Sequence, residues 1–150
     1  MKITYRGTKA ETEALNAYVK LMRVAETLMV SSQRDFAKGK LTVSQFGVLE
    51  ALYHLGPMCQ RDAAKKILKS TANITTVVDN LEKRGLVERQ RSSEDRRYIA
   101  LHLTDEGRNL IGRIFPSHVQ GIVKNLSALT TEEQQQLAHL CKKLGMANTA

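Results

Sequence analysis

The fold of this 150-residue chain is decided by residues 85–104, which read GLVERQRSSEDRRYIALHLT. Upstream of this stretch, apolar residues recur with the period of a helix, and inside it the period changes to two. Residues 86–91 and 98–103 are therefore predicted to form short strands. The polar, charged loop between them joins antiparallel neighbours, so the sequence predicts a β-hairpin.

Two helices are predicted immediately before the hairpin. The shorter helix begins at Cys59 or Gln60, and the longer one extends from a capping Ser70 to Arg84, where Gly85 supplies a left-handed stop. The longer helix has apolar residues at i, i+3, i+4 and i+7, so this side must face the core. Its opposite side presents short polar or methyl-bearing side chains, namely Thr71, Ala72, Asn73, Thr75, Thr76 and Asn80. Two helices followed by a hairpin predict a winged helix-turn-helix.

Further helices flank this unit, and a threonine marks the start of each. Thr8, Thr42 and Thr130 precede Glu or Gln by three residues, the spacing of a capping box, and Thr104 precedes two acidic residues. The first helix ends at Gly39 and carries two adjacent apolar rows, which a monomer would not leave exposed. Dimerisation is therefore expected, and the predicted fold class is mainly α with a small β-hairpin wing.

Composition restricts the classes of partner. The chain has 23 Lys and Arg against 15 Asp and Glu, a net charge of +8. This excess favours a polyanion, with nucleic acid first and an anionic membrane face second. Trp is absent and aromatic residues are 5% of the chain, which argues against a sugar-binding or base-stacking platform. Neither a secretory segment nor a membrane span is predicted, so the protein is expected to be soluble and cytoplasmic.

The helix at 71–84 suits the major groove of DNA, because Asn pairs with adenine and the methyl groups of Thr and Ala contact thymine. The same side chains could equally form a solvated helix face. The hairpin favours DNA, since residues 83–97 hold six cations against three anions and Arg suits the narrow minor groove. The candidate DNA contacts are Ser70 at the start of this helix, the six residues of its polar side, and Arg91, Arg96 and Arg97 of the wing. Asp95 is expected to hold the guanidinium of Arg97 by a bidentate contact.

Short motifs surround the hairpin. An Asp-x-Arg pair stands in the loop at 95–97, and a Leu-Thr-x-x-Gly run at 103–107 opens the next helix. Together with residues 55–58 and 77–87, these motifs resemble the signature of the MarR family of bacterial regulators. The similarity extends from about residue 12 to residue 144.

The resemblance implies a single MarR-type domain over residues 1–150. Within it, residues 42–103 form the winged helix-turn-helix lobe, and residues 8–38 with 104–145 form the dimerisation helices. It also implies a homodimer on pseudo-palindromic operator DNA, with two recognition helices about 34 Å apart. Such proteins usually repress transcription and are released by a small phenolic or anionic effector, or by thiol oxidation.

Effector and redox sites are less clearly marked. An effector cavity is expected between the DNA-binding lobe and the dimerisation helices. Its candidate residues are Tyr18, Arg23, Phe46, His54 and His118. For His54 and His118, an ordinary half-buried histidine is the simpler interpretation. Cys59 stands where the family commonly has Ser or Thr, and a thiol at a helix N-terminus can be reactive. A small residue tolerated at a cap is the simpler interpretation. A thiol-redox regulator using Cys59 stays an alternative, as does a winged-helix module that binds no DNA.

The remaining patterns argue against other chemistry. Cys141 is assigned to core or dimer packing. No spacing of histidines and cysteines suggests a metal site. The sequence also lacks a phosphate-binding loop, a nucleophile elbow and an apolar carboxylate pair. Neither an enzyme, a metal nor a cofactor is therefore predicted.

Overall fold

The computed structural model of the chain describes residues 4–67 and 71–149, with only the backbone of residues 71 and 72. The elements follow one another as α1 (Lys9–Lys38), α2 (Val43–Leu55), β1 (Met58–Cys59), α3 (Gln60–Lys66), α4 (Thr71–Lys83), β2 (Val87–Arg91), β3 (Ile99–Leu103), α5 (Asp105–Leu126) and α6 (Thr131–Asn148). This order confirms the predicted plan of four helices, a hairpin and two helices, and it adds the short strand β1.

The helix starts follow the predicted capping chemistry. At α1, α2 and α6, the Oγ1 atoms of Thr8, Thr42 and Thr130 accept from the N–H of the third helical residue, whose side chain accepts from the threonine N–H. These reciprocal bonds satisfy amides that a helix start leaves unpaired. Gly85, after α4, has a φ of 69°, as a left-handed stop requires. The predicted Ser70 cap lies outside the described residues.

The predicted hairpin is present, and a third strand extends it into an antiparallel sheet with the order β1-β3-β2. Val87 pairs with Leu103 at the base of the hairpin, and Met58 pairs with Leu101 from the other side. β1 is absent from the sequence-based prediction because two residues are too few to show a period of two. Its pairing covers the edge of β3 that the hairpin alone would leave open.

The hydrophobic core lies between the sheet and helices α2 to α5, and Phe36 of α1 contributes to it. The predicted inner stripe of α4 is confirmed, since Ile74, Val78 and Leu81 are fully buried, while Val77 is half-buried. Residues of neighbouring elements are buried with them, including Leu49, Ala63, Val87, Leu101 and Ile111. Because this stripe is held in the core, the polar side of α4 faces away from it.

A close contact joins the start of α5 to the segment after α4. Thr104 donates its Oγ1–H to the carbonyl oxygen of Gly85 at 2.6 Å and its N–H to that of Leu86 at 3.2 Å. Gly107, in the first turn of α5, lies so near that a Cβ atom on it would stand 2.0 Å from the Leu86 carbonyl oxygen. The helix can approach this closely only because residue 107 has no side chain.

A second contact joins the end of α4 to the end of α1. The guanidinium of Arg84 donates to the carbonyl oxygen of Lys40 at 2.9 Å and to that of Gly39 at 3.0 Å. These carbonyls follow the last turn of α1, where the partial negative charge of a helix end favours a cation. Arg84 therefore ties the end of α4 directly to α1.

Helices α1, α5 and α6 each expose large apolar side chains. α6 contributes no buried residue. The exposed apolar side chains of these helices include Tyr18, Met22, Val30, Ile122, Val123, Leu137, Leu140 and Leu144. Cys141 is also exposed, so its assignment to a core within one chain is wrong. Its assignment to dimer packing stays a prediction.

Candidate nucleic-acid interface and cavity

The polar side of α4 is accessible. The predicted residues exposed there are Asn73, Thr75, Thr76 and Asn80. Thr75 also takes part in a contact within the protein, because Gln60 of α3 donates its Nε2–H to the Thr75 Oγ1 at 2.7 Å. Ser70 lies outside the described residues, as do the side chains of Thr71 and Ala72. The described part of α4 therefore presents short hydrogen-bonding side chains on the side away from the core.

Local hydrogen bonds shape the wing loop between β2 and β3. Ser92 Oγ accepts from the N–H of Glu94 at 3.2 Å and from that of Asp95 at 3.3 Å. Asp95 Oδ1 accepts from the N–H of Arg97 at 2.9 Å, and the Asp95 carbonyl oxygen accepts from the N–H of Tyr98 at 3.0 Å. The conformation of the loop thus depends on Ser92 and Asp95.

The predicted contact between Asp95 and the Arg97 guanidinium is wrong. Among the described residues, no ion pair joins these two side chains. The carboxylate binds the Arg97 backbone N–H instead, because an aspartate in a turn readily reaches the N–H two residues on. The side chains of the three wing candidates are exposed, namely Arg91, Arg96 and Arg97.

Two of the six cations counted in residues 83–97 are engaged within the protein. Arg84 binds carbonyl groups after α1, as described above. Arg89 of β2 binds Asp79 Oδ1 at 2.6 Å and Glu82 Oε2 at 2.5 Å. Burial alone would lower the pKa of Arg89, but hydrogen bonds to Asp79 and Glu82, with their Coulombic attraction, raise it overall. A count of charges along the sequence cannot predict these contacts of Arg84 and Arg89, because their partners lie on other elements.

A cavity of about 560 Å³ lies between α1, α2, α3 and α5. Three of the predicted effector residues line it, namely Phe46, His54 and His118. The structure does not bring the other two there. Arg23 lines a separate crevice beside Asn125, and Tyr18 is exposed on α1. Much of the remaining wall is apolar and includes Met29, Phe36, Leu55, Ile67 and Ile122.

His118 places a buried polar atom at this cavity. Its side chain is 10% exposed, and its ring centre lies 5.1 Å from that of Phe36 and 5.0 Å from that of Phe46. Among the described residues, the His118 Nδ1 atom has no hydrogen-bond partner, and it stands 4.0 Å from Asp35 Oδ2. A buried nitrogen without a protein partner can form a hydrogen bond to a molecule that enters the cavity.

Comparison with known proteins identifies the family to which this arrangement belongs. The family model described as MarR family matches residues 41–99. Over 146 residues, the chain is 32% identical to the uncharacterized HTH-type transcriptional regulator YkoM of Bacillus subtilis (strain 168), covering 97% of this chain and 94% of that protein. The chain belongs to the MarR family.

Solved structures resemble this MarR-family chain over most of its length. Sco3205, a MarR family transcriptional regulator from Streptomyces coelicolor in complex with DNA, has a TM-score of 0.84 at 22% identity, covering 99% of this chain and 94% of its own. Bordetella bronchiseptica BpsR, whose DNA binding is regulated by 6-hydroxynicotinic acid, has a TM-score of 0.78 at 26% identity. The match covers 87% of this chain and 98% of the BpsR chain. The predicted winged helix-turn-helix fold is confirmed.

Cys59 is the candidate redox residue of this MarR-family chain. Cys59 stands at the N-cap of α3, is half-buried and makes no side-chain capping bond, so its redox role stays a prediction. Within residues 4–67 and 71–149, His, Cys, Asp and Glu form no group of three or more that could hold a metal ion. The helices in those ranges all lack the combination of length and apolar character that a membrane span requires. The named relatives are transcriptional regulators, a class distinct from enzymes.

Proposed function

We propose that this MarR-family protein is a homodimeric DNA-binding repressor whose operator affinity falls when a small phenolic or anionic molecule binds. The observation that carries the proposal is that one lobe exposes both the polar side of α4 and an arginine-bearing wing. The sheet that bears the wing packs against the same core as α4. The two surfaces therefore form parts of one rigid unit.

In this proposal α4 lies in the major groove. Its Asn73 and Asn80 side chains can pair with adenine edges, and the methyl groups of Thr75 and Thr76 can contact thymine. The wing reaches the adjacent minor groove, where Arg is favoured by the narrow, negative channel. Phosphate contacts from the surplus cations add affinity without sequence preference.

The homodimer is supported by the exposed apolar side chains of α1, α5 and α6. α1 and α5 fall within residues 8–38 and 104–145, the expected dimerisation helices, and α6 extends three residues beyond them to Asn148. Surfaces of this kind are buried between subunits rather than left in water. A two-fold pair of chains sets the two copies of α4 about 34 Å apart, one turn of DNA.

The effector proposal rests on the position and chemistry of the cavity. Apolar and aromatic side chains provide stacking surface, while His54, His118 and Lys66 can donate hydrogen bonds, against one acidic residue, Glu50. This lining suits a small aromatic molecule with a hydroxyl or carboxylate group, a class that includes the 6-hydroxynicotinic acid of BpsR. The cavity touches dimerisation helices and lobe helices alike, so a ligand there can favour a spacing of the α4 helices that does not fit DNA.

The proposal is tested by selecting duplexes from a random pool with the purified protein. We expect enrichment of a pseudo-palindromic sequence, bound by two chains, with an affinity that falls steeply as salt increases. Light scattering with and without the selected duplex gives the number of chains. A monomer that enriches no duplex at low ionic strength would overturn the proposal.

Replacing Asp95 with alanine is expected to weaken binding of the selected duplex by roughly three- to tenfold. The variant removes a negative charge from a DNA-facing loop, which by itself should favour binding. The Arg97 N–H loses its acceptor, however, and the loop then no longer holds the neighbouring arginines in place. Fluorescence anisotropy with a labelled duplex measures the change.

The matched control is Glu94→Ala, which removes the same charge from the adjacent position. Glu94 contributes only its N–H to the loop bonds described above, so this variant should bind DNA as well as the wild type or slightly more tightly. If the two alanine variants behave alike, charge alone governs the loop and its shape does not matter.

Replacing His118 with phenylalanine is expected to raise the free energy of unfolding by about 1 kcal/mol, because it removes an unpartnered buried nitrogen while keeping an aromatic ring. Release of DNA by hydroxylated aromatic acids should weaken at the same time. Urea denaturation and anisotropy, with 6-hydroxynicotinate and hydroxybenzoates as probes, report the two effects. A variant that is both less stable and fully responsive would contradict a binding role.

A further inference from the structure

Arg89 lies at the centre of a side-chain cluster that joins the wing to α3 and α4. Its Nη1 donates to Glu82 Oε2 at 2.5 Å, and its Nη2 donates to Asp79 Oδ1 at 2.6 Å. The same Nη2 donates to Gln60 Oε1 of α3 at 3.2 Å. The guanidinium therefore has acceptors on α3 and α4 although Arg89 belongs to strand β2.

The cluster continues onto the exposed side of α4. Gln60 accepts from Arg89 through its carbonyl oxygen and donates through its Nε2 to Thr75 Oγ1 at 2.7 Å. The backbone N–H of Arg89 also donates to Glu82 Oε1 at 3.3 Å. A continuous set of hydrogen bonds thus runs from the wing strand to a residue proposed to face the bases.

The contact points on α4 follow a single helical row. Thr75, Asp79 and Glu82 stand at i, i+4 and i+7, which places them on one side of the helix over two turns. Bonds along one row oppose rotation of the helix about its own axis. The apolar stripe fixes the depth of α4 in the core, and this row fixes which residues point outward.

Arg89 is not placed to serve as a phosphate contact. Its side chain is 26% exposed, whereas those of Arg96 and Arg97 are exposed at the wing. Its two terminal nitrogens already donate to three side chains on α3 and α4. A planar fork of five donors is suited to this role, and an ammonium group is not.

We infer that Arg89 is a positioning residue. By holding α4 in one orientation it determines how strongly the protein prefers its operator over other DNA, and it does not contact DNA itself. This inference rests on the proposed function. It distinguishes Arg89 from its neighbours in the cation-rich segment, because its loss should affect the choice of sequence more than the general attraction to DNA.

The test compares Arg89→Met with Arg97→Met, a matched variant that removes the same charge from the exposed wing. Two quantities are measured by anisotropy over a salt series: the affinity ratio between the selected duplex and a scrambled duplex of equal composition, and the salt slope. Arg89→Met should lower the ratio about tenfold and leave the slope unchanged. Arg97→Met should reduce the slope by about 1.8, as expected when each of the two bound chains loses one phosphate-neutralising cation. A slope reduced in Arg89→Met as it is in Arg97→Met would overturn the inference.

Two further variants keep the test decisive if Arg89→Met folds poorly. Glu82→Gln removes a negative charge from α4, so electrostatics alone predicts tighter binding of both duplexes. The inference predicts instead a lower affinity ratio between the selected and the scrambled duplex. Arg89→Lys keeps the charge but cannot reach three acceptors together, so its ratio should stay below that of the wild type. Full recovery in Arg89→Lys, or equal tightening of both duplexes by Glu82→Gln, would contradict positioning.

The outcomes also separate the inference from the proposed function. A wild-type chain that enriches no duplex defeats both. A wild-type chain that discriminates between duplexes, with Arg89 and Glu82 variants that keep its ratio, defeats the inference alone.

Discussion

Replacing Gly107 with alanine is expected to lower the free energy of unfolding by about 2–3 kcal/mol, the upper part of the range for overpacking of a closely packed site. The added Cβ would stand 2.0 Å from the carbonyl oxygen of Leu86. That oxygen belongs to the backbone and accepts the N–H of Thr104, so it cannot rotate away as a side chain would. α5 must therefore move out from the segment after α4. Urea denaturation at a fixed protein concentration measures the loss.

The control for this variant is Gly112→Ala in the same helix. The nearest atom to a Cβ at Gly112 is the Tyr53 hydroxyl oxygen at 3.8 Å, an ordinary contact. Alanine there should stabilise the helix by about 0.5–1 kcal/mol. If both variants are equally stable, close packing of residue 107 against Leu86 does not contribute to stability.

Replacing Arg97 with alanine is expected to cost roughly 1–3 kcal/mol in affinity for the selected duplex. The side chain is exposed at the wing, and its backbone is held by Asp95. A guanidinium presented this way can enter the minor groove without first breaking an internal contact. Anisotropy titrations over a salt series measure both the affinity and the number of counterions released.

Arg113→Ala on α5 is the control for Arg97, because it removes one positive charge from an exposed position outside the wing. Its effect on affinity should be small and should vanish at higher salt. Equal losses for the two variants would mean that net charge, rather than the wing, governs binding. The proposed docking of the wing in the minor groove would then be wrong.

Much of the fold could be predicted because its signals are local. The capping boxes at Thr8, Thr42 and Thr130 lie within four residues of chain, and the buried stripe of α4 follows from spacing alone. The motifs that carry the family resemblance are also short stretches of chain, and the family is confirmed. Strand β1 was missed for the opposite reason, since its two residues become a strand only by pairing with Leu101 and Ala100 far along the chain.

The site was predicted less completely, because long side chains find partners across the fold. The six cations counted in residues 83–97 include Arg84 and Arg89, yet each of these two binds groups on other elements. Asp95 is predicted to bind the guanidinium of Arg97, but its carboxylate accepts from the backbone N–H of Arg97 instead. The effector residues divided similarly: Phe46 lines the cavity, whereas Tyr18 is on the exposed part of α1. Spacing predicts which side of a helix a residue occupies, but not how far its element lies from a cavity.

The contact of Arg84 with the end of α1 has a mechanical consequence. Two hydrogen bonds, at 2.9 and 3.0 Å, hold the C-terminal end of α4 to the carbonyls of Lys40 and Gly39, while Gln60 holds its first half through Thr75. A shift in the last turn of α1 therefore pulls on one end of α4 only. Because α4 is packed with the wing sheet on one core, the lobe would turn as a unit, so that a small displacement far from DNA becomes an angular misfit at the groove.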